Sequence, residues 1–135
     1  MRSLDIGAST YLIVRAEAMW NPSDILVRKG ERYRFQTRNV WYWYDYDIES
    51  TPDGQIDVPW VLRALPDVVK RCDAAEWYAL VGCVGKKTKN QFLVGSRCDD
   101  AVMPANGELL FFANDVRTHY SNNHGQLRLD IERIA

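Results

Sequence analysis

Short apolar or alternating runs separated by turn-forming residues repeat along the whole chain, and this rhythm predicts strands with little helix. β-Branched and aromatic residues mixed with charges over Tyr11–Ala18 predict a first strand, which Asn21-Pro22-Ser23-Asp24 ends. Ile25-Leu26-Val27, the turn Lys29-Gly30-Glu31 and the alternating Arg32-Tyr33-Arg34-Phe35-Gln36 predict a strand, a turn and a strand, with Tyr33 and Phe35 facing inward. Thr37-Arg38-Asn39 closes that pattern. Val40–Asp47 is the densest aromatic patch; its rings either cover a sheet edge or, for one or two of them, border a binding pocket.

Ser50–Pro59 reads as a loop from its Pro and Gly signals. Trp60–Leu65 is expected to begin a short helix that Pro66 limits, with a second helical turn over Asp67–Ala75. Trp77–Val84 is apolar almost throughout, which predicts a buried strand, and Gly85–Asn90 is the turn after it. Gln91–Val94 is a further strand, Asp99-Asp100 and Pro104–Gly107 bound a loop, and Glu108–Phe112 is a core strand. The last strand is expected from Gln126 to Ile134. Roughly seven or eight short strands in this order imply an all-β chain, an antiparallel sandwich of jelly-roll type with a short helical insertion around 58–75. The 135 residues form one domain on this reading, without internal repeat or linker.

Composition then narrows the function classes. A net charge of -1 leaves no concentrated basic face for nucleic acid, and Lys86-Lys87-Thr88-Lys89 is too short to supply one, so it reads as a solvated turn. No apolar run is long enough to span a bilayer, and the start lacks a signal-peptide core, so a cytoplasmic protein with no membrane partner is expected, any export being non-classical. Cys72, Cys83 and Cys98 are odd in number and lack metal-site spacing, which predicts reduced, mostly buried thiols. Pairing one of them with His119 or His124 for nucleophilic catalysis lacks any local signature, so no enzyme is expected.

The candidate chemistry sits in Asn114–Gly125, between the run Leu109–Ala113 and the alternating Leu127, Leu129, Ile131. One carboxylate, two adjacent carboxamides and backbone carbonyls are hard oxygen ligands of the kind Ca²⁺ gathers. With Asp115 bidentate, Asn122 and Asn123 monodentate and two carbonyls added, about six positions fill and one or two stay open for a polar guest such as a sugar diol. Asp, Asn, Ser and Gly also suit an ordinary tight loop, which is the plainer reading.

These residues resemble the calcium-dependent galactophilic lectins of the Pseudomonas PA-I type, a bacterial family with a galactose-binding β-sandwich. Asn114-Asp115-Val116, Tyr120, Asn122-Asn123 and Gly125 look like that family's metal and sugar loop; Pro66-Asp67, Cys72, Ala79-Leu80-Val81, Gly85, Gly95, Ala101 and Gly107 fall in the same register, and Ile25–Phe35 with Gly30 resembles its early strand pair. The resemblance implies a metal held by Asp115, Asn122, Asn123, the carbonyl of His119 and one carbonyl at Trp43 or Tyr44, with an insertion between Asp45 and Trp60. It implies that sugar hydroxyls meet the ion beside Asp115, His119, Asn122 and Asn123, and that Leu65 and Val68 stand where the family uses His and Gln to bind the exocyclic hydroxyl of galactose. Neither side chain hydrogen-bonds, which weakens the expectation of galactose. The family's disulfide is missing, its second cysteine matching Trp77. The function implied is a calcium-dependent carbohydrate-binding protein, a homo-oligomer by analogy, with a calcium-stabilised assembly module that has lost sugar binding as the alternative.

Overall fold

The computed structural model describes residues 1–45, 48–54, 70–72, 74–115, 120 and 123–135. Its strands are β1 (Ser9–Arg15), β2 (Asn21–Val27), β3 (Arg32–Asp45), β4 (Ile48–Glu49), β5 (Leu80–Val84), β6 (Gln91–Leu93), β7 (Arg97–Val102), β8 (Gly107–Ala113) and β9 (Asn123–Arg133), with one turn of 3-10 helix at Thr88–Asn90. They form two antiparallel sheets. The first runs β1-β9-β3-β4, with β7 also paired to β3, and the second runs β2-β8-β5-β6. The all-β antiparallel sandwich expected from the sequence is therefore present. The helical insertion expected around 58–75 falls largely outside the described residues, and its described part, 70–72 and 74–75, is turn or irregular backbone.

The period-2 alternation explains the first sheet. Tyr33 and Phe35 point inward as expected, joined by Val14, Trp43, Leu127, Leu129 and Ile131, all buried in one cluster. From the facing sheet come Ile25, Val27, Leu80, Val84, Leu109, Phe111 and Ala113, and the Phe35 and Phe111 rings meet edge to face at 5.6 Å. The second sheet is covered on its other face too. Ala79, Val81, Cys83 and Phe112 pack there with Cys72, Ala75 and Trp20. Burial of both faces is why β5 and β8 read as unbroken apolar runs.

Three expectations are corrected. Asn21-Pro22-Ser23-Asp24 does not end a strand but opens β2, while β1 stops at Arg15. Pro22 is tolerated because β2 is an edge strand, and the register with β8 shifts between Pro22 and Leu26, where Asp24 takes φ 64°. Asp99-Asp100 lies within β7 rather than in a loop; its exposed carboxylates face Arg97 at 2.5 Å and Arg32 at 2.8 Å. Thr37-Arg38-Asn39 does not close the strand either. Asn39 adopts φ 48° in a bulge between Arg38 and Tyr42, and β3 continues to Asp45.

At Gly82 the lack of a side chain is a packing requirement. Phe92, its cross-strand partner, lays its ring where a Cβ would stand, 2.4 Å from the nearest ring carbon.

Candidate functional site

The apolar run Leu109–Phe112 carries β8 to the end of the sandwich, where three polar residues follow in buried positions: Asn114 at 0% exposure, Asp115 at 3% and, opening β9, Asn123 at 2%. The last strand thus starts three residues earlier than expected, so Asn123, His124 and Gly125 belong to the sheet and not to the loop. Their partners on β3 are Asp45, Tyr44 and Trp43 respectively. This register sets the Trp43–Tyr44 stretch beside Asn123 and His124, and Tyr78, whose N–H donates to the Asn114 carbonyl and whose hydroxyl donates to the Tyr44 carbonyl, links that stretch to the end of β8.

Each side chain has a distinct job. Asn114, first in the resembling motif, is a tether: its carbonyl accepts the Cys72 N–H at 2.9 Å, and its amide donates to the carbonyls of Cys72, Ala75 and Glu76 at 2.9, 3.2 and 3.0 Å. That pins Cys72 and residues 74–76 over the second sheet. Asn123 donates from Nδ2 to the Ala16 carbonyl at 3.3 Å, whereas its Oδ1 is buried and accepts no hydrogen bond among the described residues. A buried acceptor left so costs about 1–3 kcal/mol, so the position favours a cation or a donor. The Asp115 carboxylate is also buried, two residues past the end of β8 in the facing sheet.

Two backbone carbonyls were candidates on β3. The Trp43 carbonyl accepts the Ser50 N–H at 2.8 Å, and the Tyr44 carbonyl accepts the Tyr78 hydroxyl. Tyr78 is held for this by a positive φ of 67° and by Trp43, whose indole Nε1 donates to the Tyr78 carbonyl at 2.9 Å with the two rings 5.5 Å apart. Trp43 itself is core, so that ring of the aromatic patch does not border a pocket. His119, Asn122, Leu65 and Val68, also expected at the site, lie outside the described residues.

Sequence reasoning missed Arg71. Its guanidinium is buried against the Phe112 ring at 3.6 Å and the Trp20 ring at 4.4 Å, and donates to the Met19 carbonyl at 2.6 Å and the Tyr120 hydroxyl at 2.8 Å. Tyr120 in turn donates to the Ala113 carbonyl. Burial pushes the Tyr120 hydroxyl up to about 12 against the pull of Arg71, and the Asp115 carboxylate pushes the same way as burial. One hydroxyl therefore senses both a buried cation and the candidate metal-binding anion. The signal available was the aromatic set Trp20, Phe112 and Tyr120, which offers faces to a guanidinium.

The remaining chemistry is quiet. Among the described residues no group of three or more His, Cys, Asp or Glu side chains comes together; a site built from one carboxylate, amide oxygens and carbonyls has no such group. Cys72, Cys83 and Cys98 carry no disulfide, and burial pushes the Cys83 thiol up, away from the reactive thiolate. His124 is exposed on β9.

No protein-family model matches the chain, and no curated protein matches it in sequence. Its fold is similar to that of a solved structure, the N-terminal domain of EclA, a PllA-like lectin, with a TM-score of 0.64 over 93% of this chain and 94% of that one at 17% identity. The likeness shows the fold alone.

Proposed function

We propose that the chain binds carbohydrate at the end of the sandwich where β8 stops and β9 begins, through a calcium ion held by Asp115 and Asn123 with Asn122, the His119 carbonyl and the Tyr44 carbonyl. The observation that carries this reading is the buried, unsatisfied Oδ1 of Asn123 at the same strand ends as the buried Asp115 carboxylate, on a fold similar to a lectin's. Those are hard oxygens, which fit calcium and leave part of its shell to a guest. When bound, calcium would supply open coordination positions to two neighbouring sugar hydroxyls. Asp115 and Asn123 would hold it, and the Asn114 tether and the Tyr78 to Tyr44 hydrogen bond fix the backbone on either side. Leu65 and Val68 supply no polar contact to an exocyclic hydroxyl, so the preference extends to diols beyond galactose.

A second reading keeps the fold and drops the sugar. Leu65 and Val68, which the resemblance sets where a His and a Gln would contact the sugar, cannot hydrogen-bond, and this favours an assembly module stabilised by calcium. Calorimetry with calcium followed by a glycan array separates the two. Calcium uptake together with retention of at least one glycan supports the lectin; calcium uptake with no glycan retained leaves the assembly module; and no calcium uptake removes both.

A further inference from the structure

The opposite end of the sandwich carries a cleft of about 450 Å³ lined by Lys29, Lys87, Lys89, Asn90 and Asn106, with no carboxylate and no aromatic ring in its wall. β8 runs from Gly107 at this cleft to Ala113 at the candidate calcium end, so the two are separated by about 20 Å at the rise of a strand. We propose that this cleft is an oxyanion site, taking a phosphate or sulfate ester group of a small molecule or sugar.

The pairing of charges singles it out. Five arginines of the first sheet are matched to carboxylates: Arg32 to Asp100 at 2.8 Å, Arg34 to Glu132 at 2.5 Å, Arg97 to Asp99 at 2.5 Å, Arg128 to Asp130 at 2.8 Å, and Arg38 to Asp130. Among the described residues Lys29, Lys87 and Lys89 have no such partner. Three cations gathered around a concavity repel one another and raise the local concentration of anions. In a chain of net charge -1 this is a local excess, not a general property of the surface.

The turns that carry the lysines are also fixed. The Lys29 N–H donates to Asn106 Oδ1 at 2.8 Å and the Gly30 N–H to the Met103 carbonyl at 3.0 Å, which locks the 28–31 turn to the 103–106 turn. The third turn is held from below by buried Asn90, whose Nδ2 donates to the Val84 carbonyl at 3.2 Å, and by the Cys83 thiol donating to the Lys87 carbonyl at 3.3 Å. A rigid backbone beneath flexible ammonium heads lowers the ordering cost of binding. The size suits a monosaccharide or disaccharide ester, and the absence of stacking rings argues against single-stranded nucleic acid. The reading is independent of the calcium site.

The test is a two-dimensional ¹⁵N–¹H NMR titration of the full chain at low ionic strength with sodium pyrophosphate, with a sulfated disaccharide, with its unsulfated parent and with a short single-stranded oligonucleotide. The expected result is saturable shifts confined to residues 28–30, 84–90 and 104–106 with pyrophosphate, the sulfated sugar or both, and none with the unsulfated parent. Which of the first two binds more tightly identifies the ester. Reversing two of the three lysines, Lys87→Glu with Lys89→Glu, should weaken binding by about tenfold or more, and Lys87→Gln with Lys89→Gln by less. Asp115→Ala, at the far end, should leave it unchanged. The proposal is overturned by shifts scattered over all the cations of the surface, by non-saturation at about 20 mM, by affinity indifferent to the lysine changes, or by an oligonucleotide that binds the same lysines more tightly than either ester.

Discussion

Replacing Asn114 by Ala should damage the fold rather than the chemistry, and the size of the damage follows from its contacts. The side chain accepts one hydrogen bond and donates to three carbonyls, all from a position with no solvent exposure. An amide carries two N–H groups, so three donated contacts amount to about two full bonds, and the loss is roughly three bonds in all. At about 1 kcal/mol net for each, with a further penalty for buried backbone groups left without a partner, Asn114→Ala should cost about 3–5 kcal/mol. In a chain of this length 1 kcal/mol moves the melting temperature by about 3–4 °C, so a fall of about 10–20 °C is expected. The assay is thermal melting followed by circular dichroism in the presence of a chelator, which keeps calcium linkage out of the measurement. Asn114→Asp should fare no better, because it keeps the acceptor toward Cys72 but turns a carboxylate toward three carbonyls. A fall of less than about 3 °C would refute the tether, and would mean that Cys72 and residues 74–76 are held by their apolar contacts alone.

Calcium at about a hundred times its dissociation constant should stabilise the wild type by about 2.7 kcal/mol, and Asp115→Ala should melt at one temperature with or without chelator; a calcium-dependent rise in that variant would refute the assignment. Gly82→Ala, which drives a methyl into the Phe92 ring, should cost about 1–3 kcal/mol in urea unfolding, and an unchanged midpoint would show that the ring yields freely. Tyr120 has its folded value raised from 10.0 to about 12, so the stability it lends is complete below pH 10 and is lost as pH rises toward 12; Tyr120→Phe should flatten that alkaline limb, as read by melting against pH. Burial acts to raise Asp130, but hydrogen bonds from Arg128 and Arg38 outweigh it and hold the carboxyl below its ordinary 3.8. Its contribution is therefore present above that value and lost below it, and a steep acid limb that persists in Asp130→Asn would refute the link.

What the sequence disclosed and what it hid divide along the range of the interactions. Leu109–Phe112, Leu127, Leu129 and Ile131 announced their strands because period-2 burial is local. The β3 bulge at Asn39 was hidden, because a residue at φ 48° looks like a stop until a neighbouring strand is seen to continue past it. Pro22 misled for the same reason, since only the edge position of β2 makes it harmless. The oxygen-rich composition and the resemblance singled out Asp115 and Asn123, and both are buried at strand ends. The tether role of Asn114 and the burial of Arg71 were not legible, because both depend on a segment more than 30 residues away in sequence folding over Phe112: the Asn114 contacts span 38 to 42 positions and the Arg71 to Tyr120 contact 49.

In the first sheet β9 lies between β1 and β3, so β1 pairs with no strand of that layer, and β3 with β4 and β7 alone, until residues 123–133 have been made. Ser9 waits for Glu132, and Arg34 for the same residue. A ribosome-bound chain therefore exposes the flanks of an unfinished layer for most of its synthesis, and closure has to overcome the entropy of very long loops. Refolding slow enough to follow by manual mixing, and solubility during expression that depends on chaperone supply, are the practical marks of a layer whose middle strand arrives last.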